Sequence, residues 1–174
     1  MSQINATNSL SQIMADIDLG PTGSIQFQFA KLQMAQSQIC KNQAEDYMKQ
    51  IESIQEEQEL CAKMIEEARK KQNEATSKDA KDAKTTSMSQ EMKDFFDKRG
   101  LSYDTSGNDN KHFQEEWDYN LKSLTNYQEQ IGNKTQTLMI YLQDFIGQYN
   151  SYQEGAMSAI SSANQTLRTI ARGQ

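Results

Sequence analysis

A single proline in 174 residues leaves room for very long helices. Hydrophobic residues make up only 36% of the chain, too few for one thick core, so an elongated all-α protein is expected. No apolar run approaches the roughly 20 residues that a membrane span needs. Lysine and arginine form no large cluster and the net charge is -6, which argues against nucleic acid or an anionic membrane as partner. Met1 to Gly20 lacks the basic start and the apolar core of a cleaved secretory signal, so the classical export route is not expected. Histidine occurs once: His112 lies next to Phe113 and close to Glu115 and Glu116, a catalytic role would need a nucleophile or a metal site with further ligands, and neither cysteine is near it in sequence. No enzyme activity, cofactor or metal site is therefore expected, and His112 reads as a helix-start residue.

Cysteine is scarce as well. Cys40 and Cys61 stand three heptads apart, on one face of a helix but on the order of 30 Å from each other, which rules out a disulfide within that helix. They read as small apolar residues of a seam, with an intermolecular disulfide or reactive thiol as the alternative.

What the chain does have is a heptad pattern near its end. Every seventh residue from Leu124 gives Leu124, Ile131, Leu138, Phe145, Tyr152 and Ala159; the interleaved series is Leu121, Gln128, Thr135, Leu142, Tyr149, Ala156, Ala163 and Ile170. Two such series share one narrow stripe of a helix, a seam for a partner helix. Gly132, Gly147 and Gly155 each weaken the helix by about 1 kcal/mol relative to alanine, which packing has to offset. A second stripe, Met139, Ile146, Ile160 and Leu167, widens the apolar face toward the C-terminus. One partner helix cannot cover it.

In chain order, residues 1–23 form a polar leader closed by Gly20-Pro21-Thr22-Gly23, read from composition as a mobile, frayed terminus, with a short amphipathic helix formed on binding as the alternative. From the N-cap candidate Ser24, a long helix is expected over 24–71. Its stripe begins Ile25, Phe29, Leu32 and Ile39, then resumes one residue out of phase at Cys40, Ala44, Tyr47, Ile51, Ile54, Cys61, Ile65 and Ala68. The pairs Glu45/Lys49, Glu59/Lys63, Glu66/Lys70 and Glu67/Lys71 are spaced to support its exposed face by a few tenths of a kcal/mol each. Residues 72–110 read as a solvent-exposed middle segment: a charged linker around Lys78–Lys84, a short helix over 89–99 carrying Met92, Phe95 and Phe96, and a turn-rich loop. Asp104, Ser106, Asn108 and Asp109 offer oxygen ligands in that loop, but not at the spacing of the twelve-residue calcium loop. A second long helix is expected over 111–172. The fold class is thus an antiparallel helical hairpin, a coiled coil with a short-helix and loop insertion, assembling through its termini.

The run Ser89 to Asp104, the segment Asn133-Lys134-Thr135-Gln136-Thr137-Leu138 and the tail Ala163-Asn164-Gln165-Thr166-Leu167 resemble the type III secretion translocator-filament proteins of the EspA type, and the C-terminal coil of the related needle-tip proteins. The resemblance implies a self-assembling structural subunit of an extracellular filament on the bacterial cell surface, with the leader as an uncleaved export signal. It implies as partners further copies of the chain in a helical homopolymer, a dedicated cytoplasmic export chaperone, the secretion needle and the translocator pore proteins. It assigns Leu121, Leu124, Ile131, Leu138, Leu142, Phe145 and Tyr149, with Ile51, Ile54 and Ile65, to the intramolecular coil. Phe29, Leu32, Ile146, Ala156, Ile160, Ala163 and Leu167 become the subunit interface. The middle segment is shorter than that of needle-tip proteins, which favours a filament over a tip cap. A cytoplasmic coiled-coil adaptor or export chaperone is the alternative of a different class.

Overall fold

The computed structural model describes residues 10–18 and 24–173. These form helices α1 (Leu10–Asp16), α2 (Ile25–Glu74), α3 (Gln90–Arg99) and α4 (Gln114–Ala171), with an antiparallel two-residue ladder between β1 (Thr86–Ser87) and β2 (Lys111–His112). The protein is an all-α helical hairpin in which α2 and α4 pack antiparallel. The Gly20-Pro21-Thr22-Gly23 breaker lies outside the described residues.

Local chemistry sets the helix ends. Ser24 Oγ accepts a hydrogen bond from the Phe27 N–H at 3.3 Å, and Ser89 Oγ accepts one from the Met92 N–H at 3.1 Å, each satisfying a donor that the first turn leaves unpaired. Gly100 ends α3 with φ 62°, a left-handed conformation that costs glycine least. There the Gly100 N–H donates to Asp97 O and the Leu101 N–H to Phe96 O, the paired closure typical of a helix stopped by glycine. At the start of α4, Glu116 reaches back to accept from the Phe113 N–H at 2.8 Å.

The chain divides into two compact units, Met1–Gln50 with Leu138–Gln174, and Ile51–Thr137. The first has a core of small side chains. Ala30, Ala35, Ser37, Cys40 and Ala44 of α2 are buried, as are Leu138, Ala156, Ala159 and Ala163 of α4. Polar groups bridge the two helices within it: Gln153 Nε2 donates to Ser37 Oγ at 2.8 Å, and Cys40 Sγ lies 3.8 Å from Gln148 Oε1. Tyr47 stacks on Phe145 at 5.6 Å between centroids.

Several expectations change here. The buried stripe at the start of α2 consists of alanines and a serine, whereas Ile25 is 82% exposed and Phe29 also faces out. Small residues let helix axes come close, which leaves no room between them for large side chains. At the far end of α4, Ile170 is exposed rather than in the seam. The leader needs no partner to become helical over its described residues. Ile13 of α1 is buried, lining a depression with Met34, Ser37 and Gln153.

The second unit holds the large core residues. Cys61, Met64, Ile65 and Ala68 of α2, Met92, Phe95 and Phe96 of α3, and Trp117, Leu124 and Ile131 of α4 are buried together with Met88. The middle segment is therefore packed, except around Lys78–Lys84, where all but Ala80 are exposed. Composition alone misses this, because three apolar residues on one face of α3 bury a short helix whose other face is charged. Thr86 anchors the crossing. Its hydroxyl donates to Lys71 O at 2.8 Å and accepts from Trp117 Nε1 at 2.7 Å, and its backbone pairs with His112. His112 is thus a buried strand residue, two positions ahead of α4 rather than at its start.

The ion pairs on α2 also differ from the expected set. Among the described residues, Glu45 pairs with Lys41 and Lys49 with Asp46. These side chains are more than half exposed, so each pair contributes only a few tenths of a kcal/mol whichever partner is taken.

Candidate functional site

The first unit carries an apolar surface that its own small-residue core cannot cover. On α4, Met139, Ile140, Ile146, Met157, Leu167 and Ile170 are exposed, and on α2 so are Ile25 and Phe29. Ile25 and Phe29 line an apolar depression with Gly155, Ser158, Ala159 and Ser162. Gly155 belongs to the close helix approach: a Cβ there would stand 3.0 Å from Gln33 Oε1. Scattered exposed apolar residues are ordinary, but a run of large ones along one helix marks a contact surface.

The residues assigned to the interface by sequence separate into three groups. Phe29, Ile146 and Leu167 are exposed and Leu32 and Ile160 half-buried, whereas Ala156 and Ala163 are buried. Ala156, 2% exposed, and Ala163 are corrected from interface to core, since a side chain already enclosed by its own chain has no surface left for a second copy. Met157 and Ile140 were missed. Both lie one residue from a seam or flanking position, so the signal that could have found them was the width of the stripe rather than its period.

Of the residues assigned to the coil, Leu124, Ile131, Leu138, Ile54 and Ile65 are buried; Leu121, Leu142, Phe145, Tyr149 and Ile51 are half-buried. Half-burial is what the margin of a two-helix contact leaves to its aromatic and longer aliphatic side chains.

The second unit contains a charged clasp. Arg99 at the end of α3 holds Glu57 of α2 through the Nε and Nη2 edge of its guanidinium, with Nε donating to Oε1 and Nη2 to Oε2 at 2.6 Å. Tyr127 OH of α4 donates to the same carboxylate at 2.7 Å. The guanidinium also lies 3.7 Å over the Phe95 ring, and Phe95 meets Tyr127 edge-on. The Arg99 hydrogen bond, outweighing burial, holds the Glu57 carboxyl below its usual range. Burial first, and then Glu57, push the nearby Cys61 thiol up to about 11. Both cysteines are free and buried, and a thiol that stays protonated is a poor nucleophile.

The clasp sets a pH dependence. A depressed folded-state value means that the stabilisation is complete above the unfolded carboxyl value near 4.5 and is lost as pH falls through the folded one. Arg99→Ala is expected to lower unfolding free energy by about 1–3 kcal/mol at pH 7, since hydrogen bonds to charged groups are lost. At pH 3 the difference from wild type should shrink. Urea unfolding at the two pH values checks this, and an equal loss at both would mean that Arg99 acts through packing on Phe95 alone.

A second polar cluster joins Asp104, His112 and Glu116 in the same unit. These are the described residues that could hold a metal ion. None of the described helices is long and apolar enough to cross a membrane. No protein-family model, curated protein or solved structure matches the chain.

Proposed function

We propose that this chain is a self-assembling structural subunit whose copies associate through the exposed apolar face of the Met1–Gln50 and Leu138–Gln174 unit. The observation that carries the reading is an inversion within that unit: apart from Ile13 and Leu138 its described buried side chains are small, alanines with Ser37 and Cys40, while Phe29, Ile146, Met157 and Leu167 face solvent. A core of small side chains removes little apolar area from water, at about 25 cal/mol per Å², so burying the outer face in further copies would contribute much of the stability. A contact between different faces of successive copies that does not close on itself yields a helical polymer. Together with the resemblance in residue types, this favours an extracellular type III secretion filament subunit. In that setting, an export chaperone would mask the same face before secretion, and the needle and pore proteins would meet the ends of the polymer.

Negative-stain electron microscopy with sedimentation velocity on one sample tests the reading. Long fibres of uniform width are expected from wild type. The Ile146→Asp/Leu167→Asp double variant should keep wild-type helicity, because both side chains are exposed in the single chain and surface changes usually cost within about 0.5 kcal/mol. It should form no fibres, since each contact would then bury unpaired carboxylates. Fibres from the double variant would move the interface elsewhere. A small closed oligomer from wild type, unchanged on concentration, would sink the polymer and leave the tip cap or the adaptor.

A further inference from the structure

His112 is 1% exposed, and neither of its ring nitrogens has a hydrogen-bond partner. Buried polar nitrogens are nearly always paired, so one imidazole with both unpaired calls for a reason. The ring makes an edge contact with Trp117, 5.1 Å between centroids, and its backbone is held by the pairing with Thr86.

Its Nδ1 lies beside a carboxylate. Asp104 Oδ2 stands 3.5 Å from it, and one ligand atom from each of Asp104, His112 and Glu116 lies within 4.8 Å of the others. Each carboxylate has one backbone donor, the Ser106 N–H at 3.2 Å on Asp104 Oδ2 and the Phe113 N–H on Glu116 Oε2. The one hydroxyl proton of Ser106 faces Asp104 Oδ2 at 2.6 Å and Glu116 Oε1 at 2.9 Å, and can be given fully to only one of them.

We propose that Asp104, His112 and Glu116 form a binding site for a divalent transition-metal ion, of the zinc class. The donor set is one imidazole nitrogen and two carboxylate oxygens; imidazole selects zinc-type ions over calcium or magnesium, and three protein ligands leave a position for water. Two atoms each about 2.1 Å from a tetrahedral zinc ion stand about 3.4 Å apart, close to the Nδ1 to Oδ2 separation. Glu116 must close in by a side-chain adjustment. Supports for the ligands are in place: Glu116 Oε2 accepts from the Phe113 N–H, and the Asp104 N–H donates to Asn120 Oδ1 at 2.7 Å, with Asn120 fully buried. Such supports orient ligands for an ion. The ion would tie the loop before β2 to the first turn of α4, whether or not the chain polymerises.

The test uses the full chain, stripped with EDTA and dialysed, then titrated calorimetrically with zinc chloride and with calcium chloride. One zinc per chain is expected, with a raised melting temperature. Glu116→Gln and Asp104→Asn should each weaken zinc binding by at least about tenfold while keeping the helicity of the metal-free wild type, because Gln can still cap α4. Cobalt should give visible ligand-field bands in wild type that both variants lose. No saturable zinc binding, zinc binding unchanged in both variants, or calcium held more tightly than zinc would each overturn the proposal.

Discussion

Leu124→Asp should abolish the cooperative unfolding transition at 25 °C. Leu124 is 0% exposed, and its carbonyl lies 3.5 Å from Cys61 Sγ, so α2 and α4 touch there with no space for water. The substitution removes a buried leucine, at about 2–5 kcal/mol for truncation. It also leaves a carboxylate without a partner, at a further several kcal/mol. Together these reach into the about 5–15 kcal/mol that holds a typical domain folded. Circular dichroism against temperature or urea measures the outcome. A melting temperature near that of wild type would mean that Leu124 is not packed between the helices. Leu124→Ala should fall between, still folded but weakened.

Trp117→Ala should be the costliest truncation in the second unit, at about 3–5 kcal/mol. Trp117 is fully buried, and its indole donates to Thr86, whose own hydroxyl donates to Lys71 O. Removing the indole opens a cavity, strips the acceptor side of Thr86 and frees the edge of His112. Trp117→Phe separates the two effects, keeping most of the volume while losing the N–H, which should account for about 1–2 kcal/mol. Because this is the only tryptophan, the variants have to be followed by circular dichroism rather than fluorescence. A loss under about 1 kcal/mol for Trp117→Ala would show that Thr86 and the ladder hold the crossing without it.

The hairpin was legible because its signals are local and repeated. One proline, Ser24, Ser89 and Gly100 mark where helices begin and stop, and the period of Leu124, Ile131 and Leu138 marks the face that meets a partner. Each of these acts within a turn or two of its own position. The docking of α3 was not legible. Met92, Phe95 and Phe96 announce an amphipathic helix, but which surface takes them depends on Tyr127 and Glu57, residues far along the chain.

The same limit applies to the sites. Asp104, His112 and Glu116 follow no calcium-loop spacing, so nothing in their order points to one another; the ladder between Thr86 and His112 and the capping turn of Glu116 bring them together. On the outer face, the period set the flanking residues Ile146 and Leu167 apart from the seam residues Ala156 and Ala163, and the burial of the two alanines agrees with it; the resemblance is what placed all four in one interface. Sequence by itself determined the helices, their stops and their antiparallel pairing, because helix formation and amphipathic period are properties of neighbouring residues. Only the tertiary structure decided which apolar residues are inside. That depends on how closely two helices approach, and in the first unit small residues take the inside and turn the large ones out to solvent.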